Sequence, residues 1–141
     1  MTAAYRIETL ESRKNEKKFF SVLGRYFASR EVRSEIGGHC LDDDENYRWF
    51  VAFKGKKAVG FLSVKVEQDR ITIKDGYIEP DHRDKKLFSA LLEKAISNSK
   101  KSRLPLQAHV PSEHISMFRR RGFVGDVMRG RWISCERPVS N

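Results

Sequence analysis

The chain has 141 residues, and its 28 Lys and Arg against 19 Asp and Glu give a formal net charge of +9 at pH 7. This length suits a single domain, which we expect to span residues 1–141. No apolar run approaches the roughly 18 residues of a membrane span, and the start lacks a secretion signal, so we expect a soluble cytoplasmic protein without a membrane partner. The two cysteines lack metal-ligand spacing, and we predict reduced thiols and no metal site.

The first half of the chain predicts a strand, a helix and then consecutive strands. Residues 5–10 alternate between apolar and polar side chains, as a strand does. From about Asn15 the apolar residues recur at helical spacing, and Gly37-Gly38 ends this helical region or its short extension. A polar loop follows at 41–46. The next three predicted strands, the first two joined by a KGKK hairpin turn, lie at 47–55, 56–68 and 69–80.

The second half predicts two helices separated by a strand. The first helix has an apolar stripe formed by Phe88, Leu91, Leu92, Ala95 and Ile96. A strand at 104–110, a helix at 111–123 and a strand at 129–138 complete the chain. The predicted order is β-α-β-β-β-α-β-α-β, in which helices interrupt the strands without strict alternation. This order favours an α/β or α+β fold with a mixed sheet.

The stretch YIEPDHRDKKLFSALL, residues 77–92, joins the end of a strand, a proline, a polar turn and the start of an amphipathic helix. A helix N-terminus attracts anions because its first backbone N–H groups are unpaired and its dipole end is positive. Arg83, Lys85 and Lys86 add positive charge to this turn. The stretch therefore predicts an anion-binding site.

Two segments of the chain resemble the GNAT superfamily, the GCN5-related N-acetyltransferases. The first, from Ile78 to the SALL segment, is similar to the family's acyl-CoA motif, in which a proline precedes R-x-x-G-x-G/A and an apolar helix. The second, MFRRRGF, is similar to a late helix of the family and keeps its final Gly122-Phe123. The element order fits over nearly the whole chain. The resemblance implies a GNAT-like mixed, largely antiparallel central sheet of about six to seven strands flanked by helices.

The resemblance also implies CoA-dependent N-acyl transfer, with acetyl-CoA as the donor and an unidentified amine as the acceptor. The implied cofactor-binding residues are Ile78, Arg83, Asp84, Lys85, Lys86, Leu87 and Phe88. Lys86 and Phe88 stand where the family has glycine or another small residue. Lys86 can still donate its N–H if its φ stays negative, and it can bind phosphate through its ammonium group. The ring of Phe88 either extends the buried stripe of its helix or narrows the cofactor slot, and periodicity favours the first.

Acyl transfer to an amine uses a general base, because only the neutral amine is nucleophilic. The candidate bases before the predicted turn are Glu79, Asp75 and, through water, Tyr77. Each also has a plainer interpretation as a structural or solvated group. Further titratable candidates are His82, His109 and His114. The family's tyrosine, which protonates the leaving thiolate, corresponds here to Phe118, which has no proton to donate.

An arginine-rich segment supports an alternative function. Its members are Arg119, Arg120, Arg121, Arg129 and Arg131. With Trp132 beside them and the +9 charge, they are typical of a nucleic-acid surface, although a solvated helix end is the plainer interpretation.

Two alternatives to acyl transfer therefore stay open. One is a GNAT-fold protein that modifies or binds nucleic acid, in the manner of Mom-like DNA modification or of a tRNA-directed enzyme. The other is a catalytically degenerate binding module, which Phe88 and Phe118 favour. The late strand at 129–138 also predicts a homodimer through strand pairing.

Overall fold

The computed structural model describes residues 4–83 and 86–139. Within that part of the chain, seven strands form one sheet in the order β1-β2-β3-β4-β5-β7-β6. The strands are β1 (Tyr5–Leu10), β2 (Tyr47–Lys54), β3 (Lys57–Val66), β4 (Ile71–Ile78), β5 (Leu106–Pro111), β6 (Val124–Arg129) and β7 (Trp132–Arg137). The helices are α1 (Glu16–Phe27), α2 (Arg30–Glu35), α3 (Leu87–Ser102) and α4 (Ile115–Arg119).

The junction between β4 and β5 differs from every other junction in the sheet. These two strands are parallel, whereas the other neighbouring strands are antiparallel. They pair only at Ile71 with Leu106 and at Thr72 with Gln107. Among the described residues, no strand pairing joins the rest of β4 to β5, so the two strands diverge and a cleft opens between them.

Two apolar layers cover the sheet, and the alternation of strand side chains decides which residue faces which layer. On the α1 side, an aromatic cluster contains Phe19, Tyr26, Trp49, Phe61 and Tyr77. On the α3 side, the apolar stripe of α3 packs on β2, β3 and β4. Alternation along β4 therefore places 75, 77 and 79 towards α1 and α2, and places 76 and 78 towards α3.

The two longest helices begin in different ways. The side chain of Asn15 caps α1 by accepting a hydrogen bond from the backbone N–H of Lys18, at 3.1 Å. Helix α3 has no side-chain cap, and Lys86 precedes it in the left-handed conformation, with φ 60°. Glycine normally occupies such a position, because a Cβ there is disfavoured.

The predicted fold class is confirmed, and the structure corrects the C-terminal part of the prediction. Residues 124–137 form a hairpin of two strands turning at Gly130, where sequence analysis predicts one strand from 129 to 138. All six residues of β6 are exposed, so this strand lacks the alternation by which strands are recognised. Helix α4 covers five residues of the predicted 111–123.

The hairpin also changes the prediction for a homodimer. Strand β7 lies between β5 and β6, so it has no free edge for pairing with a second copy. The predicted pairing strand is therefore wrong, and β6 is the edge strand at that end of the sheet. A homodimer itself stays a prediction.

Two further features follow from the described residues. None of their helices is both long and apolar enough to cross a membrane. Nor do residues 4–83 and 86–139 contain a group of three or more His, Cys, Asp or Glu side chains placed to hold a metal ion.

Candidate active site

The opening between β4 and β5 consists of three adjoining cavities, which together we call the cleft. The α3 end, about 650 Å³, is lined by residues such as Ile78, Arg83, Lys86 and Leu87. The centre, about 380 Å³, is lined by Met117 and Phe118 among others. The α2 end, about 570 Å³, has a lining that includes His39, Asp42, Tyr47, Asp75 and His109. Gly76 and Phe88 line both the α3 end and the centre, and Asp75 and Trp132 line both the centre and the α2 end, so the cleft is continuous.

The α3 end brings together most of the predicted cofactor-binding residues. Ile78, Arg83, Lys86, Leu87 and Phe88 all line it. Arg83 donates from Nε to the backbone oxygen of Ile78 at 2.8 Å, and its Nη2 lies 3.4 Å from a carboxylate oxygen of Glu35. Lys86 is exposed at the first turn of α3. Asp84 and Lys85 lie outside the described residues, and their predicted role stays a prediction.

The ring of Phe88 lies at the junction of the α3 end and the centre. It is half-buried and packs against the core on the α3 side of the sheet. A Cβ added to Gly76 would come within 2.9 Å of this ring, so the absence of a side chain on β4 accommodates it. The centroids of the Phe88 and Phe118 rings are 6.4 Å apart. Phe88 therefore both packs on the core and forms part of the cleft wall, combining the two orientations that the sequence left open.

Of the two carboxylates predicted as bases, Asp75 is the one that lines the cleft. It is 8% exposed and follows a bulge in the pairing of β3 with β4. The hydroxyl of Ser63 accepts from the Asp75 backbone N–H at 3.2 Å and holds this irregular segment. Oδ1 of Asp75 lies 2.8 Å from Nε2 of His39. Burial raises the pKa of Asp75 above its ordinary value, and the hydrogen bond with His39 partly opposes that rise.

Glu79 lies on the same face of β4 as Asp75 but is enclosed by α1. Its carboxylate is 3.1 Å from Nη1 of Arg25 and accepts from the Tyr26 hydroxyl at 3.2 Å. Burial tends to raise the pKa of Glu79, but the hydrogen bonds from Arg25 and Tyr26 and the positive charge of Arg25 bring it below its ordinary value. Glu79 is absent from the lining of the cleft. This placement favours a structural role over the predicted role as base.

Tyr77 lies between these two carboxylates. It lines the α3 end, and the guanidinium of Arg83 lies over its ring, 5.6 Å from the ring centroid. Burial raises the pKa of Tyr77 above its ordinary value. At neutral pH the hydroxyl is therefore protonated, and its predicted part in catalysis through water stays a prediction.

The other histidines and Phe118 are distributed along the cleft. His82 is at the α3 end, where Nδ1 lies 3.0 Å from the Tyr5 hydroxyl. His114 lines the α3 end and the centre, and His109 lines the centre and the α2 end. Phe118 is 4% exposed and packs edge-on against Phe123. Its burial accounts for an apolar residue here, and a proton for the leaving thiolate must come from another group.

Two members of the arginine-rich segment pair with carboxylates. Arg121 bonds to Glu93 at 2.7 Å, and Arg131 lies 3.8 Å from Glu113. The remaining members, Arg119, Arg120 and Arg129, are exposed. Nucleic-acid binding by this segment stays a prediction.

The sheet is mixed, it splits between the parallel strands β4 and β5, and α3 begins beside the split. A family model described as the acetyltransferase (GNAT) family matches residues 6–123. The chain therefore belongs to the GNAT family of acetyltransferases and is an N-acetyltransferase-like enzyme. The resemblance in the sequence is confirmed.

Solved structures of this fold are similar over almost the whole chain. ElaA of Escherichia coli is 14% identical with a TM-score of 0.76, covering 95% of this chain and 99% of that chain. The ribosomal-protein-S18-alanine N-acetyltransferase of Escherichia coli is 19% identical with a TM-score of 0.73, covering 98% and 96%. The PaiA N-acetyltransferase of Thermoplasma acidophilum, in complex with coenzyme A, is 18% identical with a TM-score of 0.64, covering 96% and 99%. No curated protein sequence is significantly similar to the chain.

His39 is the cleft residue that the sequence interpretation missed. Its partner Asp75 is 36 residues away in the chain, on a different element. The available signal was Gly37-Gly38, which marks a sharp turn, but a turn does not say which strand it approaches.

Proposed function

We propose that this chain transfers an acetyl group from acetyl-CoA to an amine, with the acyl donor entering the α3 end of the cleft and the amine entering the α2 end. The observation that supports this best is the continuity of the cleft. Its α3 end and its α2 end both adjoin the centre, where Asp75 and Gly76 of β4 line the cleft. Such an arrangement lets two substrates approach one another from opposite directions.

The residues at the α3 end fit the diphosphate of an acyl-CoA. Lys86 has a φ of 60° instead of the negative φ on which its N–H donation was predicted to depend. Glycine adopts this left-handed conformation most easily, so Lys86 supports the proposal by its backbone resemblance to a glycine of a phosphate-binding loop. The first backbone N–H groups of α3 begin directly after it, and a helix N-terminus favours negative charge. Lys86 and Arg83 would add their own positive charges.

The free edge of β4 fits the rest of the donor. Beyond Thr72, the edge of β4 that faces β5 has no strand partner among the described residues. Unpaired backbone N–H and C=O groups can bind an extended chain that contains amides. The pantetheine arm of CoA is such a chain. The crystal structure of the PaiA N-acetyltransferase holds coenzyme A on a similar fold.

The centre of the cleft favours a small acyl group. Phe88, Met117 and Phe118 supply an apolar wall there, and the Phe88 ring occupies space at the entrance from the α3 end. This is the basis for proposing acetyl over longer acyl groups. Acetyl-CoA supplies the thioester carbonyl that the amine attacks. A thiolate leaves readily near neutral pH, because thiol pKa values lie at about 8–9, so Phe118 slows the reaction without preventing it.

Calorimetric titration with acetyl-CoA tests this proposal. We expect binding, and we expect Lys86→Glu to weaken it by about tenfold, because the change places a negative charge next to the bound diphosphate. Lys94→Glu is the matched control, since Lys94 is an exposed residue on the same helix about two turns away. Equal affinity of both variants would place the diphosphate elsewhere, and a wild-type protein that binds no acetyl-CoA at millimolar concentration would refute the proposed function.

A further inference from the structure

His39 reaches β4 from the loop between α2 and β2. Gly37 and Gly38 have φ values of 118° and 86°, a conformation that glycine adopts without strain. They reverse the chain after α2, so the next residue extends over the α2 end of the cleft. The His39 side chain is 54% exposed, and its Nε2 lies 2.8 Å from Oδ1 of Asp75.

The Asp75 carboxylate is a fixed partner for this imidazole. Its side chain is 7% exposed, and its backbone exchanges hydrogen bonds with the Ser63 hydroxyl at 3.2 and 3.3 Å. Because Asp75 accepts at Nε2, the proton of neutral His39 is placed on that nitrogen. Within the described residues, Nδ1 has no hydrogen-bond partner. Because the His39 side chain is 54% exposed and lines the α2 end of the cleft, we infer that the lone pair of Nδ1 can accept a proton there.

We propose that His39 is the general base of the reaction and that Asp75 is its positioning residue. This inference rests on the proposed function, and it adds a residue from outside β4 to the catalytic groups. The acceptor arrives as an ammonium ion and gives one proton to Nδ1 of His39. The amine lone pair then forms the N–C bond with the thioester carbonyl carbon, the C–S bond breaks, and the sulfur leaves as a thiolate with the electron pair of that bond. The nitrogen gives its second proton to the thiolate, so the products are a neutral amide and the free thiol. The imidazolium returns its proton to solvent.

His39 suits this role better than Asp75 alone. An imidazole is a stronger base than a carboxylate, since its ordinary pKa is about 6.5 against about 3.9 for Asp. Asp75 is also only 8% exposed, and its Oδ1 already binds His39. The arrangement has the logic of a histidine held in one tautomer by a buried carboxylate.

Other groups at the α2 end set the electrostatic background. The titratable or charged side chains that line it are Cys40, Asp42, Tyr47, Lys74 and His109. Lys74 tends to lower the pKa of Asp75, and Asp42 tends to raise it. Burial and the nearby Asp42 raise the pKa of Tyr47 to about 12, so this hydroxyl stays protonated across the working pH range.

The first test measures His39 without any substrate. The imidazole nitrogen chemical shifts of the full chain, which report which ring nitrogen holds the proton, are followed by NMR in the wild type and in Asp75→Ala. We expect neutral His39 to hold its proton on Nε2 in the wild type and to lose that preference in Asp75→Ala, because the carboxylate accepts the hydrogen bond from Nε2. His82, at the α3 end beside Tyr5, is the internal reference and should not change. An unchanged His39 tautomer would overturn the pairing and the proposal with it.

The second test uses kinetics, with CoA release from acetyl-CoA as the readout. The acceptors are spermidine, benzylamine and an alanine-initiated peptide, with water as the acceptor if none of them reacts. We expect His39→Gln to lower kcat by about 100-fold and to remove the acidic limb of the pH profile, while acetyl-CoA affinity is kept. Added imidazole should partly restore His39→Ala, which a purely structural histidine would not show. Asp75→Asn is measured in the same assay, and Asp126→Asn, a change at an exposed residue of β6, is its matched control.

The outcomes separate this inference from the proposed function. If acetyl-CoA binds but His39→Gln keeps the wild-type rate and pH profile, His39 is not the base and the proposed function stands. If acetyl-CoA does not bind, the proposed function and the inference both fail. Loss of activity together with loss of acetyl-CoA binding in His39→Gln would assign His39 a structural role.

Discussion

Asp75, inside β4, and Glu79, directly after its last residue, carry the same chemical group in opposite surroundings. Asp75 and Glu79 lie on one face of the strand, about 13 Å apart along it. Glu79 is enclosed by Arg25 and Tyr26, and its pKa is lowered. Asp75 is buried beside an open cleft, and its pKa is raised. A lowered carboxyl pKa marks a group that stabilises the fold, whereas a raised one marks a group whose charge costs stability.

The same division extends to the neighbours of each carboxylate. Around the cleft, Lys86 adopts a left-handed conformation, and Gly76 omits a side chain so that Phe88 can lie against the strand. Around Glu79, the Arg25 guanidinium also lies over the Tyr26 ring, 4.3 Å from the ring centroid. Local strain is typically found at functional sites and compensated elsewhere in the fold. The comparison therefore predicts losses of activity from changes near Asp75 and losses of stability from changes near Glu79.

The largest expected effect is on the rate of acyl transfer, which should depend on Asp75 and not on Glu79. Asp75→Asn should lower kcat/KM by about 100-fold, or about 2.7 kcal/mol, while leaving the free energy of unfolding equal or higher. Glu79→Gln should keep the wild-type rate. The measurements are CoA release and urea unfolding of both variants. Equal losses of rate in the two variants would break the comparison.

The next effect concerns the contact between Gly76 and Phe88. Gly76→Ala should destabilise the fold by about 1–3 kcal/mol, because the new Cβ would lie 2.9 Å from the Phe88 ring and 3.0 Å from Cδ1 of Leu62. In a Phe88→Ala background the same change should cost at least about 0.5 kcal/mol less. Urea unfolding of the four proteins gives this coupling energy. Additive losses would show that the ring does not occupy the space beside Gly76.

A smaller effect tests the ion pair of Glu79 with Arg25 through the pH dependence of the free energy of unfolding. Glu79→Gln should lower the free energy of unfolding by about 0.5–1 kcal/mol at pH 7, discounted because Arg25 is partly exposed. The folded-state pKa of Glu79 lies below its ordinary value of 4.5, so its contribution is complete above about pH 5 and is lost as the pH falls through the folded-state pKa. Unfolding measured from pH 7 to pH 3 should show the two proteins converging. A difference that persists at pH 3 would assign the effect to packing instead.

The smallest expected effect tests whether the left-handed conformation of Lys86 at the cleft lowers the stability of the fold. Lys86→Gly should stabilise the fold by about 0.5–1 kcal/mol, because glycine adopts the left-handed conformation without the steric cost of a Cβ. The greater backbone entropy that glycine loses on folding offsets only part of this gain. The same variant should bind acetyl-CoA more weakly, since the ammonium group is lost. Thermal unfolding and calorimetry measure the two changes. A destabilised Lys86→Gly would mean that the lysine side chain contributes more to the fold than its backbone conformation costs.

Local patterns predicted most of the fold but only part of the site. The stripe from Phe88 to Ile96 and the polar turn before it identified α3 and its anion-binding end, because a helix face and a turn depend on residues close together in the chain. Strand β6 was missed because its exposed residues show no alternation. For Glu79, the sequence suggested a base, whereas α1 encloses it with Arg25 and Tyr26, a contact spanning more than 50 residues.

The sequence by itself therefore determined the family, the order of elements and the presence of a basic turn at the start of α3, since these follow from motifs and short-range periodicity. Only the tertiary structure decided which carboxylate of β4 faces the cleft, that the Phe88 ring lies against Gly76, and that His39 meets Asp75. The physical reason is that each of these depends on how separate elements pack. A shift of one residue in the pairing register of β4, or a loop that closed over a different strand, would change these contacts without changing any local sequence pattern.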